Sequence, residues 1–536
     1  MSRKGDVFME KMLGVMLDCS RNAVMKPDKV KEFAQIIKKM GLNTLMLYTE
    51  DTYEIESQPY FGHLRGRYSK QELKDIDSYC QSIGIELIPC IQTLAHLKQM
   101  FKWHKIYSDV NDCDDILLIG EEKTYLLIED MLKTLSECFT SRKIHIGMDE
   151  AYRVGTGNYA IKNGMRDKFD IINEHLHKVC DIAGKYNFEP MIWSDMFCKL
   201  AADQDGYGDQ YGEVDTAKVL ERAALPENVS LVYWDYYHSE YDHYDKMIKR
   251  NKLFNRKVYF AGGAWTWGGF APYNAMSIER TDAAISACND NEIDGVFLTV
   301  WGDNGAECNP FTILPTLMFA AEKMRGNTDM DSIKKKFYEI VGTEFDSFVL
   351  LESFDSPGGM HKDNNSASKY LLYNDPFVGL NDCFCAESDN EFYANLAQKL
   401  SNVEKGNHSN IFESYENLAG VLSLKAALGV KTRKAYLAND KEALKEIIKE
   451  YDETILRLKA FHASFQSIWL EYNKPHGFDA QDLRLGGLIQ RLLSCKDRLE
   501  NFVSGQLPNI PELEEKVLEN PSPYGWWNAC VSVNIV

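Results

Sequence analysis

Lys143-Ile144-His145-Ile146-Gly147-Met148-Asp149-Glu150 reads as a short apolar strand that runs into two adjacent carboxylates. Strand residues alternate sides, so Ile144 and Ile146 fill one layer while His145 and Gly147 face the other. An α/β barrel keeps its chemistry at the carboxyl ends of its strands. An Asp-Glu dipeptide also opens many solvated loops, and the neighbouring segments decide between the two explanations.

Working outward, the chain alternates apolar strands with amphipathic helices. The strand Leu13–Asp18 precedes a helix from Asp28 with Val30, Phe33, Ile37 and Met40 on one face, stopped by Gly41. Thr44–Tyr48 is the second strand. Ser69 with Glu72 then forms a capping box for a helix through Leu73, Ile76, Cys80 and Ile83, closed by Gly84. Ile85–Pro89 is the third strand and the His145 stretch the fourth. Pro190–Trp193, Val229–Trp234, Val258–Ala261 and Gly295–Val300 follow, with helical patterns between them. Strands that alternate with helices pair in parallel, because each crossover returns the chain to the same end of the sheet. Eight such units predict a (β/α)8 TIM barrel. The rival, a doubly wound open sheet, lacks its Gly-rich phosphate loop after the first strand.

After about Pro315 the strands stop. Helical patterns run over Leu418–Leu437, Lys441–Tyr472 and Leu483–Leu499, separated before the last by a polar Pro/Gly turn, Asn473–Asp479. The expected organisation is an α/β barrel over residues 1–325 followed by an all-α C-terminal domain over 326–536. That domain, with its Leu-rich helices and polar turn, is expected to form a homodimer and to reach a neighbouring site.

Composition bounds the partners. The 536 residues are 45% hydrophobic and 12% aromatic, enough for a large core, and the net charge of −20 argues against nucleic acid or an anionic membrane. No apolar run is long enough to span a bilayer. Asp6, Glu10 and Lys11 interrupt any leader-like core between Met1 and Asp18. The thirteen cysteines form no CxxC pair, which fits reduced thiols in the cytoplasm.

In a barrel the strand ends converge and are read together. They carry Asp18-Cys19-Ser20-Arg21, Glu50-Asp51, His96, Asp149-Glu150, Trp193-Ser194-Asp195, Trp234-Asp235-Tyr236-Tyr237, Trp265-Thr266-Trp267 and Trp301-Gly302-Asp303-Asn304. Five of the nine tryptophans thus lie at the ends of strands five to eight. Aromatic faces pair with the CH faces of a pyranose, and carboxylates with Arg bind its hydroxyls, so the composition is that of a sugar pocket. A metal site is not expected: neither His145 nor His96 has an HxH or HExxH companion. His145 reads as a structural histidine.

These residues resemble glycoside hydrolase family 20, the β-N-acetylhexosaminidases, and in particular its short bacterial branch with a helical domain after the barrel. The resemblance runs through Met16–Arg21, Ile88-Pro89 leading to His96, His145–Glu150 and Trp301–Asp303. The family usually has Gly where this chain has Met148. The resemblance implies Glu150 as general acid/base and Asp149 as the residue that orients the 2-acetamido group. His96 then supports the acid, Arg21 and Asp303 bind ring hydroxyls, and Trp193, Trp234, Tyr237, Trp267 and Trp301 line the pocket. The tyrosine that binds the acetamido oxygen is not where the family keeps it. Tyr236, Tyr237 and Tyr273 are candidates, with Tyr236 preferred.

The implied activity is exo-acting, retaining removal of terminal non-reducing GlcNAc from oligosaccharides or glycoconjugates, with GalNAc left open. Most retaining glycosidases use two carboxylates about 5–5.5 Å apart; this family lets the substrate's own acetamido oxygen attack C1, and no cofactor is needed. Two alternatives remain at this level: a two-carboxylate enzyme with Asp303 or Asp195 as nucleophile, and a non-catalytic sugar-binding barrel.

Overall fold

The computed structural model describes residues 11–202, 210–212, 214–357, 366–519, 521–523 and 525–534. Of the Met1–Asp18 segment that the sequence reading weighs for a leader, residues 1–10 lie outside the described residues. Eight strands close into a parallel barrel: β1 (Met12–Asp18), β2 (Thr44–Tyr48), β3 (Glu86–Cys90), β4 (Lys143–His145), β5 (Glu189–Trp193), β6 (Ser230–Trp234), β7 (Val258–Gly263) and β8 (Gly295–Val300). β1 and β8 pair along Met12↔Gly295 to Leu17↔Val300, which closes the ring. The join between β3 and β4 is the narrowest, a single register pair, Cys90↔His145.

A helix follows each strand: α1 (Pro27–Met40), α2 (Lys70–Ser82), α3 (Glu122–Cys138), α4 (Lys168–Lys185), α5 (Asp195–Ala202), α6 (Tyr241–Lys252), α7 (Asn274–Asp290) and α8 (Leu314–Met324). The sequence signals are used as read. α1 buries Val30, Phe33, Ile37 and Met40 and ends at a left-handed Gly41, while Ser69 and Glu72 form the capping box of α2. Strand alternation sorts the core into two layers. Met16, Met46, Ile88, Met191, Val232 and Phe297 fill the barrel interior. Val15, Leu17, Leu45, Leu47, Ile144 and Ile146 face the helices. This packed interior leaves the carboxyl ends of the strands as the open face.

The helical region beyond contains, among others, α9 (Ala367–Tyr373), α10 (Ser409–Lys425), α11 (Leu428–Leu437), α12 (Lys441–Tyr472) and α13 (Phe478–Val503). The sequence reading needs three corrections, two here and one in the barrel between β3 and β4. The expected helix over Leu418–Leu437 is two helices, broken at Ala426–Ala427, where Asn390 Oδ1 accepts from Ala427 N at 2.9 Å. α13 starts at Phe478, inside the expected turn. A short hairpin, Asn111–Cys113 with Ile116–Leu117, was not foreseen.

The turn also contacts the barrel of its own chain. Lys474 N donates to Val24 O at 2.8 Å, Asn22 Nδ2 donates to Gly477 O at 2.9 Å, and Met25 bridges to Asn473. Among the described residues no helix is long and apolar enough to cross a membrane.

Candidate active site

Directly after β4 the backbone enters a turn in which Gly147, Met148 and Glu150 have φ of 73°, 75° and 53°. Left-handed backbone disfavours any residue with a Cβ, so the surroundings must hold it. Gln92, in the loop after β3, does so with both ends of its amide. Its Oε1 accepts from Met148 N at 3.2 Å and its Nε2 donates to Asp149 Oδ1 at 2.8 Å. A Cβ on Gly147 would lie 2.0 Å from that Oε1 and 2.8 Å from the Ile91 carbonyl, which reserves the position for glycine. The positive φ at Met148 also gives a physical reason for glycine in the family at that position.

The turn sends the two neighbouring carboxylates into different surroundings. His96 Nε2 sits 3.2 Å from Asp149 Oδ2 and 3.7 Å from Glu150 Oε2. Burial works against ionising Asp149, yet His96 and the Gln92 amide outweigh it and hold the carboxyl well below the usual range. Burial also opposes the charge on His96, but Asp149 more than reverses this and lifts the imidazole to about 9. Glu150 goes the other way. Burial and then the Asp149 charge raise it, against the opposing pull of His96 and Lys199. Its side chain is 40% exposed, its Oε1 accepts from Tyr152 OH at 3.2 Å, and Lys199 Nζ stands 3.9 Å away. Two adjacent carboxyls with pKa values driven apart is the arrangement of a fixed anion beside a proton donor.

At the far end Arg21 Nε donates to Glu50 Oε1 at 2.8 Å and Nη1 pairs with Asp303. The guanidinium lies 5.7 Å from the Trp301 ring centre. Asp18 sets this end: its Oδ1 accepts from Ser20 N and Arg21 N, and its Oδ2 accepts from Gly302 N at 2.9 Å, tying the end of β1 to the end of β8. Aromatic rings form the walls. Trp193 packs 4.3 Å from His145 and 6.3 Å from Trp301, Tyr236 stacks on Trp234 at 5.1 Å, and Trp267 meets Tyr236 edge-on at 5.4 Å. The Trp301 indole donates to the Tyr236 hydroxyl at 3.1 Å, and Thr299 contacts the same hydroxyl, so its position is fixed from two sides.

All eleven residues singled out in the sequence line one pocket: Arg21, His96, Asp149, Glu150, Trp193, Trp234, Tyr236, Tyr237, Trp267, Trp301 and Asp303. Two alternatives fall elsewhere. Tyr273 is fully buried and stacks on Trp265, away from the pocket. Asp195 is buried against Lys199 Nζ at 2.9 Å and also accepts from Glu150 N at 3.4 Å. His145 is a core residue: burial pushes it down to about 3, and its Nδ1 accepts from Gly147 N at 3.1 Å.

Sequence reasoning gave no role to Gln92, Lys199 or Tyr152. Gln92 carries a faint signal, an amide two residues past the apolar third strand and near His96. Lys199 and Tyr152 carry none, being ordinary residues of a helix and a loop.

Among the described residues one cluster has metal-ligand composition, Asp235, His238 and His243, behind the Tyr236–Tyr237 loop. Both oxygens of Asp235 are already engaged, by Tyr237 N at 3.0 Å and His238 Nδ1 at 3.0 Å on one side and by Tyr233 OH at 2.7 Å and His243 Nε2 at 2.9 Å on the other. The cluster therefore acts as an anchor for that loop.

The chain is similar to Hexosaminidase D of Bos taurus, 25% identical over 271 residues that cover 48% of this chain and 71% of the relative. It is 23% identical to Hexosaminidase D of Homo sapiens over 40% of this chain, and spans less than half of that relative, 43%. Among solved structures, a β-N-acetylhexosaminidase from Bacteroides fragilis matches 62% of this chain and 70% of its own, with TM-score 0.46 and 19% identity. A model described as the C-terminal domain of glycoside hydrolase 20C matches residues 346–525. The family 20 catalytic-domain model matches residues 12–292, more than half of the sequence, and the chain belongs to glycosyl hydrolase family 20.

Proposed function

We propose that the protein is an exo-acting, retaining β-N-acetylhexosaminidase that removes terminal non-reducing GlcNAc by substrate-assisted catalysis. The observation that carries this reading is the split between Asp149, held ionised by His96 and Gln92, and Glu150, raised toward the protonated form beside it. Glu150 protonates the leaving oxygen. Asp149 holds the acetamido N–H so that the carbonyl oxygen attacks C1, and its charge offsets the oxazolinium cation that forms. Tyr236, whose hydroxyl is held at the pocket wall by Trp301, donates to the acetamido oxygen. Arg21, bridging Glu50 and Asp303, closes the far end, which supports removal of terminal sugars.

A protein nucleophile finds little support. Among the described residues the carboxylates lining the pocket are Asp149, Glu150 and Asp303, and Asp303 is paired with Arg21. Fluorinating the acetyl methyl of an aryl N-acetylglucosaminide weakens the carbonyl oxygen as a nucleophile. The rate is expected to fall with each fluorine, and Asp149→Asn to cost about 10²–10³ in kcat. A flat fluorine series would overturn the mechanism, and absence of aryl release would overturn the activity.

The same reading takes the enzyme as a cytoplasmic homodimer. Thirteen free cysteines support a reducing compartment, and exposed Leu456, Leu470 and Leu483 on α12 and α13 support a contact surface. Light scattering is expected to give twice the chain mass; a monomer at micromolar protein would end the dimer.

A further inference from the structure

The loop after β8 carries Asp303 and then runs through three left-handed residues, Asn304, Gly305 and Ala306, with φ of 59°, 113° and 54°. Two of the three have a Cβ, so the loop does not hold this shape by local preference. It ends at Glu307, whose side chain is 1% exposed between two cations of the helical region. Lys369 of α9, also 1% exposed, pairs with Glu307 Oε2 and donates to Asn304 O at 2.9 Å. Arg484 of α13 pairs with Glu307 Oε1 at 2.7 Å and donates to the same carbonyl at 2.8 Å. One turn earlier on α13, Gln481 Nε2 donates to Gly305 O at 2.8 Å. The approach is close: a Cβ on Gly305 would lie 2.4 Å from Arg484 Nη1.

Buried ionic clusters contribute little net stability, because desolvation offsets their attraction; their best-attested use is to fix one arrangement among several. Here the arrangement fixed is the loop that presents Asp303 to Arg21 and to the sugar pocket. We propose that Lys369, Gln481 and Arg484 are positioning residues through which the helical region sets Asp303, and so the binding of the outer sugar hydroxyls. The inference rests on the hexosaminidase reading. It extends that reading by making sugar recognition a joint property of barrel and helical region within one chain.

The test uses full-length protein and an activated aryl N-acetylglucosaminide beside its galacto epimer. Gln481→Leu and Arg484→Met are expected to raise KM about tenfold and to narrow the gluco/galacto ratio of kcat/KM, with kcat within about twofold, since a displaced contact weakens binding before chemistry. Arg484→Lys keeps the charge and is expected to recover part of the loss.

If Arg484→Met does not fold, the triple replacement Glu307→Met, Lys369→Met and Arg484→Met removes the whole charged cluster and carries the same expectation. In an Asp303→Ala background each of these variants is expected to add less than about twofold, because coupled residues are not additive. Unchanged KM in folded Gln481→Leu and Arg484→Met, or an undiminished effect in the Asp303→Ala background, overturns the positioning role. Failure of the wild type to release the aryl group overturns the hexosaminidase reading instead, so the two failures are separable.

Discussion

At the scale of single residues, the chemistry turns on two adjacent carboxyls being unlike. Both are partly shielded from water, and that shielding alone would raise both. His96 and Gln92 meet Asp149 directly, whereas the cations reach Glu150 at longer range, His96 at 3.7 Å and Lys199 at 3.9 Å, so one proton-binding site is suppressed and the other strengthened. The sign of the pH dependence follows. kcat/KM is expected to fall as pH rises through the raised pKa of Glu150, where the acid is lost, and to fall at low pH only once Asp149 is protonated. Glu150→Gln should reduce turnover of a natural disaccharide by about 10²–10⁴ while sparing an aryl substrate whose leaving group departs unprotonated. The alkaline fall should vanish from the variant's residual profile on that substrate. Equal losses on both substrates would take Glu150 out of the acid role.

At the scale of elements, the carboxyl ends of the strands concentrate left-handed backbone: Asn22, Glu50, His96, Met148, Glu150, Asn304 and Ala306 all have positive φ. The strands and helices were legible because burial imposes a period, as in Val30, Phe33 and Ile37 on α1, and because caps such as Ser69 with Glu72 act locally. The pocket residues were legible because strand ends converge. The strained turns were not, since Met148 has no local reason to be left-handed; Gln92, fifty-six residues away, supplies it. The break between α10 and α11 is of the same kind, fixed by Asn390 from outside.

Met148→Gly is therefore a contest between two effects. Relieving the φ strain stabilises by about 1–2 kcal/mol. Deleting a buried Met side chain costs about 2–5 kcal/mol, and glycine adds about 0.5–1 kcal/mol of chain entropy. A net destabilisation of about 0.5–5 kcal/mol, centred near 3, is expected in denaturant titration, with activity per folded molecule retained. A stabilised variant would mean that the side chain contributes less than its strain costs.

At the scale of the whole molecule, barrel and helical region share one core. Phe311, just past β8, packs on Phe33 of α1 at 5.4 Å and on Tyr472 of α12 at 4.9 Å. Phe270, in the loop after β7, lies 5.7 Å from Phe461 and 6.1 Å from Phe465 on α12, and its carbonyl accepts from Tyr415 OH of α10 at 2.6 Å. The backbone joins too, with Lys26 N donating to Tyr472 O at 2.9 Å beside the Met25–Asn473 bridge. Domains with small polar interfaces move and melt independently, whereas a large apolar seam makes them one cooperative unit. Calorimetry is expected to show a single transition whose calorimetric and van't Hoff enthalpies agree per cooperative assembly. A chain ended at residue 325 uncovers Phe270 and Phe311 and is expected to be insoluble or inactive, and it loses the donors that set Asp303. Two resolved transitions, together with an active soluble barrel from residues 1–325, would show that the seam is only an attachment and that the pocket is complete without it.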